Sequence, residues 1–249
     1  QAADTSGAIT LFATGEVPQR PNHLGTFPVP AWVPAYQWGP VIAQPRMPHA
    51  TGGPGDFFAH ANNLMFDPAC APVLFQVDSG PSYGRDRIVQ LIEAPPAHTV
   101  ASHAAIQGDV LLLRAGRVLP EMLDDLRGLR GRMPCEERAL WELRNWDLRA
   151  EADAVAASVF FTTYRRAIIL AVEDEVDRPA LDYLLSERYF TNAADGWYDD
   201  PHHPVWDDLR SEVTETRADV VRAAFRQAVV RLRATLGGEG PEEWRWGRL

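Results

Sequence analysis

The chain has 249 residues, 46% of them hydrophobic, enough for one large domain or two ordinary ones with a substantial core. Its net charge of −10 opposes a general nucleic-acid-binding role, which needs a basic face to displace counterions. Every basic side chain apart from histidine is an arginine, and the absence of lysine removes Schiff-base chemistry and Walker-type phosphate binding.

Cys70 and Cys135 are too few for a zinc cluster or a disulfide-rich scaffold; they either pair or are two small buried hydrophobes. No apolar run reaches the ~20 residues a membrane helix needs. The chain opens at Gln1 with neither an initiating Met nor a basic-then-apolar signal segment, and reads as beginning inside a fold.

Asp4 to Gly7 is a turn signal, followed by a strand over Ala8 to Ala13 and another turn at Thr14-Gly15. Val17 to Pro54 is proline-rich and aperiodic, an extended connector whose Trp32, Tyr36 and Trp38 imply packing onto a surface. Asp56 to His60 reads as a strand running into Asn62 and Asn63. Asn at that place is either a turn former or a positioned N–H donor for a developing oxyanion. Phe66 to Ser82 is irregular, and a short helix starts at Tyr83 with Ile88, Leu91 and Ile92 on one face. Arg85 and Arg87 sit in its first turn, where the helix dipole disfavours cations, so each is either a surface ion pair with Asp86 or Glu93 or a site residue.

Beyond Pro96 the pattern is helical. Thr99 caps a helix running through Asp109 toward Val118, and Pro120 kinks it or begins another through Leu126. Further helices are predicted over Pro134 to Trp146, Ala152 to Val176, Arg178 to Arg188 and Val213 to Leu236. In the last, Val221, Phe225, Val229, Leu232 and Leu236 oppose Arg217, Arg222, Arg226 and Arg233, and Gly237-Gly238 ends it. Asp199-Asp200-Pro201-His202-His203 is the one dense His/Asp cluster, but its members are adjacent rather than at metal-ligand spacing, which favours a solvated loop. Asp147 is a helix-end cap or a buried carboxylate. There is no G-x-S-x-G, G-x-G-x-x-G or P-loop, and His60 has no Ser or Cys nucleophile evidently beside it.

The run Gly55 to Asn63, followed by Tyr83-Gly84-Arg85-Asp86-Arg87-Ile88, resembles the penicillin acylase (penicillin amidase) family of N-terminal-nucleophile hydrolases, in which a strand ending A-N-N or W-N-N precedes Y-R-x-x-R-I at a helix start. Asp4 to Arg20 is similar to the family's A-D-x-x-G through A-T-G-R-x-P-x-R stretch, and Phe27 to Trp32 to its P-V-P-G connector. His98-Thr99-Val100 through Gln107-Gly108-Asp109 to Leu119-Pro120, Trp146-Asp147 and Trp244-Arg245-Trp246-Gly247 match later family patterns in the same order. The resemblance covers nearly the whole chain.

It implies an α+β fold: part of an αββα sandwich sheet over residues 1–96, then a mostly helical region over 97–249, both within one larger domain. It implies a periplasmic or secreted, autoprocessed enzyme that hydrolyses a linear amide through a β-chain N-terminal Ser outside these 249 residues. Its expected partners are the rest of its own precursor and a small acyl-amide substrate, with no nucleic acid and no membrane span. It implies no cofactor, with a calcium ion possible in the parent enzyme as in some members. Carried over residue by residue, the oxyanion-hole amide falls on Asn62 and the arginine that orients it on Arg87. Asp56 and His60 depart from the family pattern, as does the longer spacing from Asn62 to Arg87. The isolated chain is expected to be inactive. The alternatives are a non-catalytic scaffold derived from the fold and, within the family, an N-acyl-homoserine lactone acylase.

Overall fold

The computed structural model describes residues 1–25, 27–66, 79–186, 190–238 and 240–249, without the side chains of 190–192. The expected irregular stretch between residues 67 and 78, Cys70 with its pairing, and the end of the helix predicted to Arg188 therefore lie outside the described residues. Two compact units divide the chain, residues 1–93 and 94–249.

The first unit holds a three-stranded antiparallel sheet in sequence order: β1 (Ala2–Ala3), β2 (Ile9–Phe12) and β3 (His49–Gly52). The turn between β1 and β2 is made by Asp4, whose Oδ1 accepts from Ser6 N at 2.8 Å, Ser6 Oγ at 2.6 Å and Ala8 N at 3.1 Å. Those bonds, the Ser6 hydroxyl first, hold the Asp4 carboxyl below its usual range. Gly7 closes the turn at φ 85°, a dihedral that favours glycine. β2 pairs with β3 from Ile9 opposite Gly52 to Phe12 opposite His49. A small core of Ala13, Ile42 and Met47 lies beneath, with Phe12, Val17 and Phe66 packed on it.

Two expectations change here. β3 lies inside the segment read as a proline-rich connector; pairing with β2 supplies the order that its composition does not advertise. Residues 56–60, read as a strand, are not in the sheet. Asp56 instead accepts from Gly53 N at 2.8 Å while its own N–H donates to Gly53 O, so the chain turns where a strand was expected. The connector's aromatics pack only in part. The Arg20 guanidinium lies 5.0 Å from the Trp38 ring centre, whereas Trp32 is 84% exposed. Residues 83–93 form α1 (Tyr83–Glu93), as the periodicity predicts.

The second unit is helical: α2 (Val100–Gln107), α3 (Leu113–Leu126), α4 (Pro134–Arg144), α5 (Val155–Val172), α6 (Arg178–Ser186), α7 (Phe190–Trp197) and α8 (Arg217–Leu236). Thr99 caps α2 reciprocally with Ser102, but the helix stops at Gly108 instead of continuing toward Val118. The break is stable because Leu112 N donates to Leu148 O at 2.9 Å and Ala150 N to Val110 O at 3.0 Å, giving the interrupted backbone new partners. Pro120 lies inside α3.

The core is built on α5 against α8, with α3 and α4 alongside. Phe160, Tyr164 and Ile168 from α5 meet Val221, Phe225, Val229 and Leu232 from α8, all buried. α5 is long and apolar enough to cross a membrane by length and composition, but its apolar window is 67% buried within the protein, as a core helix is. Trp244 and Trp246 seal one end: Trp246 N donates to Ala154 O at 3.2 Å and Gly247 N to Ala152 O at 2.7 Å, just ahead of α5.

Charge is also buried. Arg217, placed by its sequence pattern on the solvent face of α8, is 4% exposed. It bonds Asp125 Oδ2 at 2.8 Å and Glu121 Oε2 at 2.9 Å, and donates to Tyr198 O. It sits in the first turn of α8, one turn before buried Val221, and so shares that apolar face. Burial, set against the Arg217 contacts, leaves the Asp125 carboxyl above its ordinary range. A second network joins Tyr164 Oη to Asp195 Oδ1 at 2.6 Å, with Arg114 Nε 3.2 Å from Asp195 Oδ2.

Removing one member of a buried ion pair leaves the other uncompensated, at a cost of about 3–5 kcal/mol, whereas an exposed pair contributes about 0–1 kcal/mol. Asp125→Ala should therefore destabilise in urea unfolding by about 3 kcal/mol or more, and Asp124→Ala, which breaks the exposed pair with Arg127, by under about 1 kcal/mol. Equal small losses would contradict the arrangement. Burial, followed by the nearby carboxylates, also pushes the Tyr164 and Tyr198 phenols far above their usual range. A phenol pKa raised by folding stabilises the protein below about pH 10, and that contribution is lost as pH rises beyond it. Tyr164→Phe should leave the phenolate absorbance of the folded protein at about pH 10.5 unchanged, and a fall in that absorbance would contradict the buried, protonated phenol.

Candidate functional site

The candidate residues sit in the first unit, where the chain leaving Phe58 turns through Ala61 to Asn63 before α1. Asn62 adopts φ 61°, a left-handed conformation that Asn tolerates better than other non-glycine residues. Two bonds to residue 63 shape the turn: Asn63 Oδ1 accepts from Ala61 N at 3.0 Å, and Asn63 Nδ2 donates to Leu64 O at 2.8 Å. His60 Nε2 lies 3.2 Å from Asn63 O, which accepts from it. His60 thus serves the turn.

The turn is tied to the start of α1. Gly80 N donates to Asn62 O at 2.6 Å, and Asn63 and Gly80 form a parallel bridge. Both glycines on this border are close-approach positions. A Cβ on Gly80 would stand 3.1 Å from Asn62 O, and one on Gly84 would stand 3.1 Å from Ala61 Cβ. The backbone of Asn62 is therefore fixed from both sides, while its side chain is exposed and engages none of the described residues. Asn63 does the turn-forming; Asn62 presents an uncommitted carboxamide on a fixed backbone. Such a group can donate two N–H bonds to an anion.

Within α1, Ser82 Oγ donates to Asp86 Oδ2 at 2.5 Å and Arg85 pairs with Asp86 at 3.1 Å, so Arg85 takes the surface ion-pair alternative. Arg87, half-buried and in the second turn of α1 rather than the first because the helix begins at Tyr83, donates to Gln90 Oε1 at 3.2 Å. The structure brings the Asn62 turn against the beginning of α1 and sets Arg87 one turn farther along the same helix.

The other sequence candidates are structural. Asp147 is exposed, and its Oδ1 accepts from Arg149 N at 3.0 Å in the loop after α4. Asp199 pairs with Arg117 at 2.6 Å, Asp200 Oδ1 accepts from His202 N, and His203 Nδ1 accepts from Val205 N. No group of three or more His, Cys, Asp or Glu among the described residues could hold a metal ion. What the sequence reading did not find is the buried set of Asp125, Arg217, Asp195 and Tyr164. The signal was present in the phase of Asp125, between Met122 and Leu126 on the buried face of α3.

Comparison with known proteins identifies the family. The chain is 34% identical over 167 residues to the penicillin acylase 2 proenzyme of Pseudomonas sp. (strain SE83), an alignment covering 67% of the chain and 21% of that protein. It is 26% identical over 251 residues to the acyl-homoserine lactone acylase QuiP of Pseudomonas aeruginosa, covering 95% of the chain and 29% of that protein. Its structure resembles that of the thermostable penicillin G acylase from Alcaligenes faecalis with a TM-score of 0.67 and 16% identity, over 98% of the chain and 47% of the other. The chain thus spans less than a third of the length of these two curated relatives. The family profile described as penicillin amidase matches residues 1–249, from first to last. The chain belongs to the penicillin amidase family.

Proposed function

We propose that this chain is the portion of a penicillin-acylase-like amidohydrolase that supplies one half of an oxyanion hole. The observation that carries the reading is the Asn62 carboxamide, held on a left-handed backbone pinned by Gly80 and committed to none of the described residues. In the proposed reaction an N-terminal serine hydroxyl outside this segment attacks the carbonyl of a linear amide, with its own α-amine as base through a water. The carbonyl oxygen becomes an oxyanion, and Asn62 Nδ2–H donates to it beside a backbone N–H from elsewhere in the precursor. Collapse of the tetrahedral intermediate breaks the C–N bond and releases the amine. Water then cleaves the acyl ester to a carboxylate and regenerates the serine.

Arg87 is a positioning residue in this scheme, orienting the Asn62 turn from the second turn of α1. Both units would belong to one larger domain, with the small sheet as part of an αββα sandwich, and the whole enzyme would be periplasmic or secreted. The names of the relatives suggest two substrate classes, the side-chain amide of a penicillin and the amide of an N-acyl-homoserine lactone. A second reading, a non-catalytic scaffold, draws on the same left-handed φ at Asn62, which a pure turn former would also show.

In the complete enzyme, Asn62→Ala should lower kcat by about a hundredfold or more with a smaller change in KM, because the donor acts on charge that develops in the transition state. Full activity in a folded, processed variant would refute the role. The isolated 249-residue chain should show no turnover of acyl-amide substrates; measurable hydrolysis would mean that the nucleophile lies within it.

A further inference from the structure

The loop that joins α3 to α4 reads Arg127-Gly128-Leu129-Arg130-Gly131-Arg132-Met133, placing three arginines together in a chain whose net charge is −10. With Glu137 of α4 it borders a cavity of about 490 Å³, within the range of roughly 300–1,000 Å³ typical of small-molecule sites. Among the described residues Leu129 is its one apolar side chain, so the lining suits a polar ligand.

Two arginines of α8 set the shape of this loop. Arg222 Nε donates to Asp125 O at 2.8 Å, and Arg226 Nη2 donates to Arg130 O at 2.5 Å. Gly128 makes the first approach possible, since a Cβ there would collide with the Arg222 guanidinium. Gly131 follows in a left-handed conformation, φ 63°. The peptide between Arg130 and Gly131 is trans, so with its carbonyl turned toward Arg226 its N–H points the other way.

The loop has therefore spent acceptors and kept donors. Asp124 O and Leu126 O accept from Arg127 N and Leu129 N, whereas the N–H groups of Arg130, Gly131 and Arg132 make no hydrogen bond among the described residues. The three guanidinium groups differ in the same sense. Arg132 is paired with Glu137 at 2.5 Å, Arg127 is held to Asp124 at 2.7 Å only by an exposed and hence weak pair, and exposed Arg130 has no side-chain partner among the described residues. One acceptor stands beside these donors: Glu137 engages Arg132 through Oε1, which leaves its Oε2 to accept. A guanidinium with backbone N–H groups calls for an oxyanion, and a carboxylate oxygen next to them calls for a hydroxyl donor on the same ligand.

We propose that this loop is a binding site for a phosphomonoester of a polyhydroxylated compound, a sugar phosphate, its phosphoryl group held by Arg130 and the Gly131 N–H and a hydroxyl by Glu137. The site lies wholly in the second unit and does not rest on the amidohydrolase reading; either can fail without the other.

The test is calorimetric titration of the complete enzyme with glucose 6-phosphate, glucose and inorganic phosphate. Saturable binding of glucose 6-phosphate is expected, with glucose and inorganic phosphate each weaker by about tenfold or more. Arg130→Gln, at an exposed position without side-chain contacts, should keep the melting temperature and lower the affinity by about tenfold or more. Arg178→Gln removes the same charge from exposed α6 and should leave the affinity unchanged. No saturation up to about 10 mM glucose 6-phosphate, equal affinity for inorganic phosphate or glucose, an unchanged affinity in Arg130→Gln, or an equal loss in Arg178→Gln would each overturn the proposal.

Discussion

The hydrogen bond from Gly80 N to Asn62 O is the constraint on which the candidate site depends. It locks the carbonyl of a residue whose φ of 61° is otherwise sparsely populated, and strain of that kind persists only where the surroundings over-determine it. Three neighbours do so here. Gly80 approaches because it has no Cβ, Gly84 lets α1 press on Ala61, and Asn63 spends its amide on closing the turn. The result is a division of labour between adjacent asparagines: one builds the corner and the other is left to face outward. Preorganisation of this sort is what an oxyanion donor needs, because a donor already in place costs no reorganisation when charge develops.

The helical unit solves a different problem. Its core is an ordinary apolar contact between α5 and α8, but Arg217, Asp125 and Glu121 bring charge to its border with α3. Replacing a buried pair by apolar groups is often neutral or favourable, so the pair is weak evidence for stability as such. Its geometry instead ties α8 to α3, with one guanidinium reaching Asp125, Glu121 and the Tyr198 carbonyl together.

Legibility in the sequence followed the strength of local signals. The helices at Pro134, Val155 and Arg217 were readable because their apolar residues recur at helical spacing, and α1 because Ile88, Leu91 and Ile92 do. Features set by distant partners were not. The break between α2 and α3 depends on Leu148 and Ala150, nearly forty residues away, and β3 on pairing with β2 across the connector. Phe57 and Phe58 suggested a strand, but Asp56, three residues after Gly53, had the spacing to close a turn. Arg217 was assigned to solvent because charge on a helix usually is; its phase, one turn before Val221, puts it on the buried face, and Asp125 on α3 is the partner that lets it stay there. For the site, composition left Asn62 and Asn63 as interchangeable turn formers, and ordered family motifs singled out Asn62. The structure separates the two by their bonds, which no local pattern carries.

One substitution divides the two roles that Asn62 could have. Asn62→Gly keeps the left-handed backbone, since glycine adopts positive φ without cost, but removes the carboxamide. Measured in the complete, processed enzyme, this variant should retain its melting temperature and lose about a hundredfold or more in kcat on an acyl-amide substrate. Retention of full activity would show that only the turn matters and would contradict the assignment of Asn62 as the oxyanion donor.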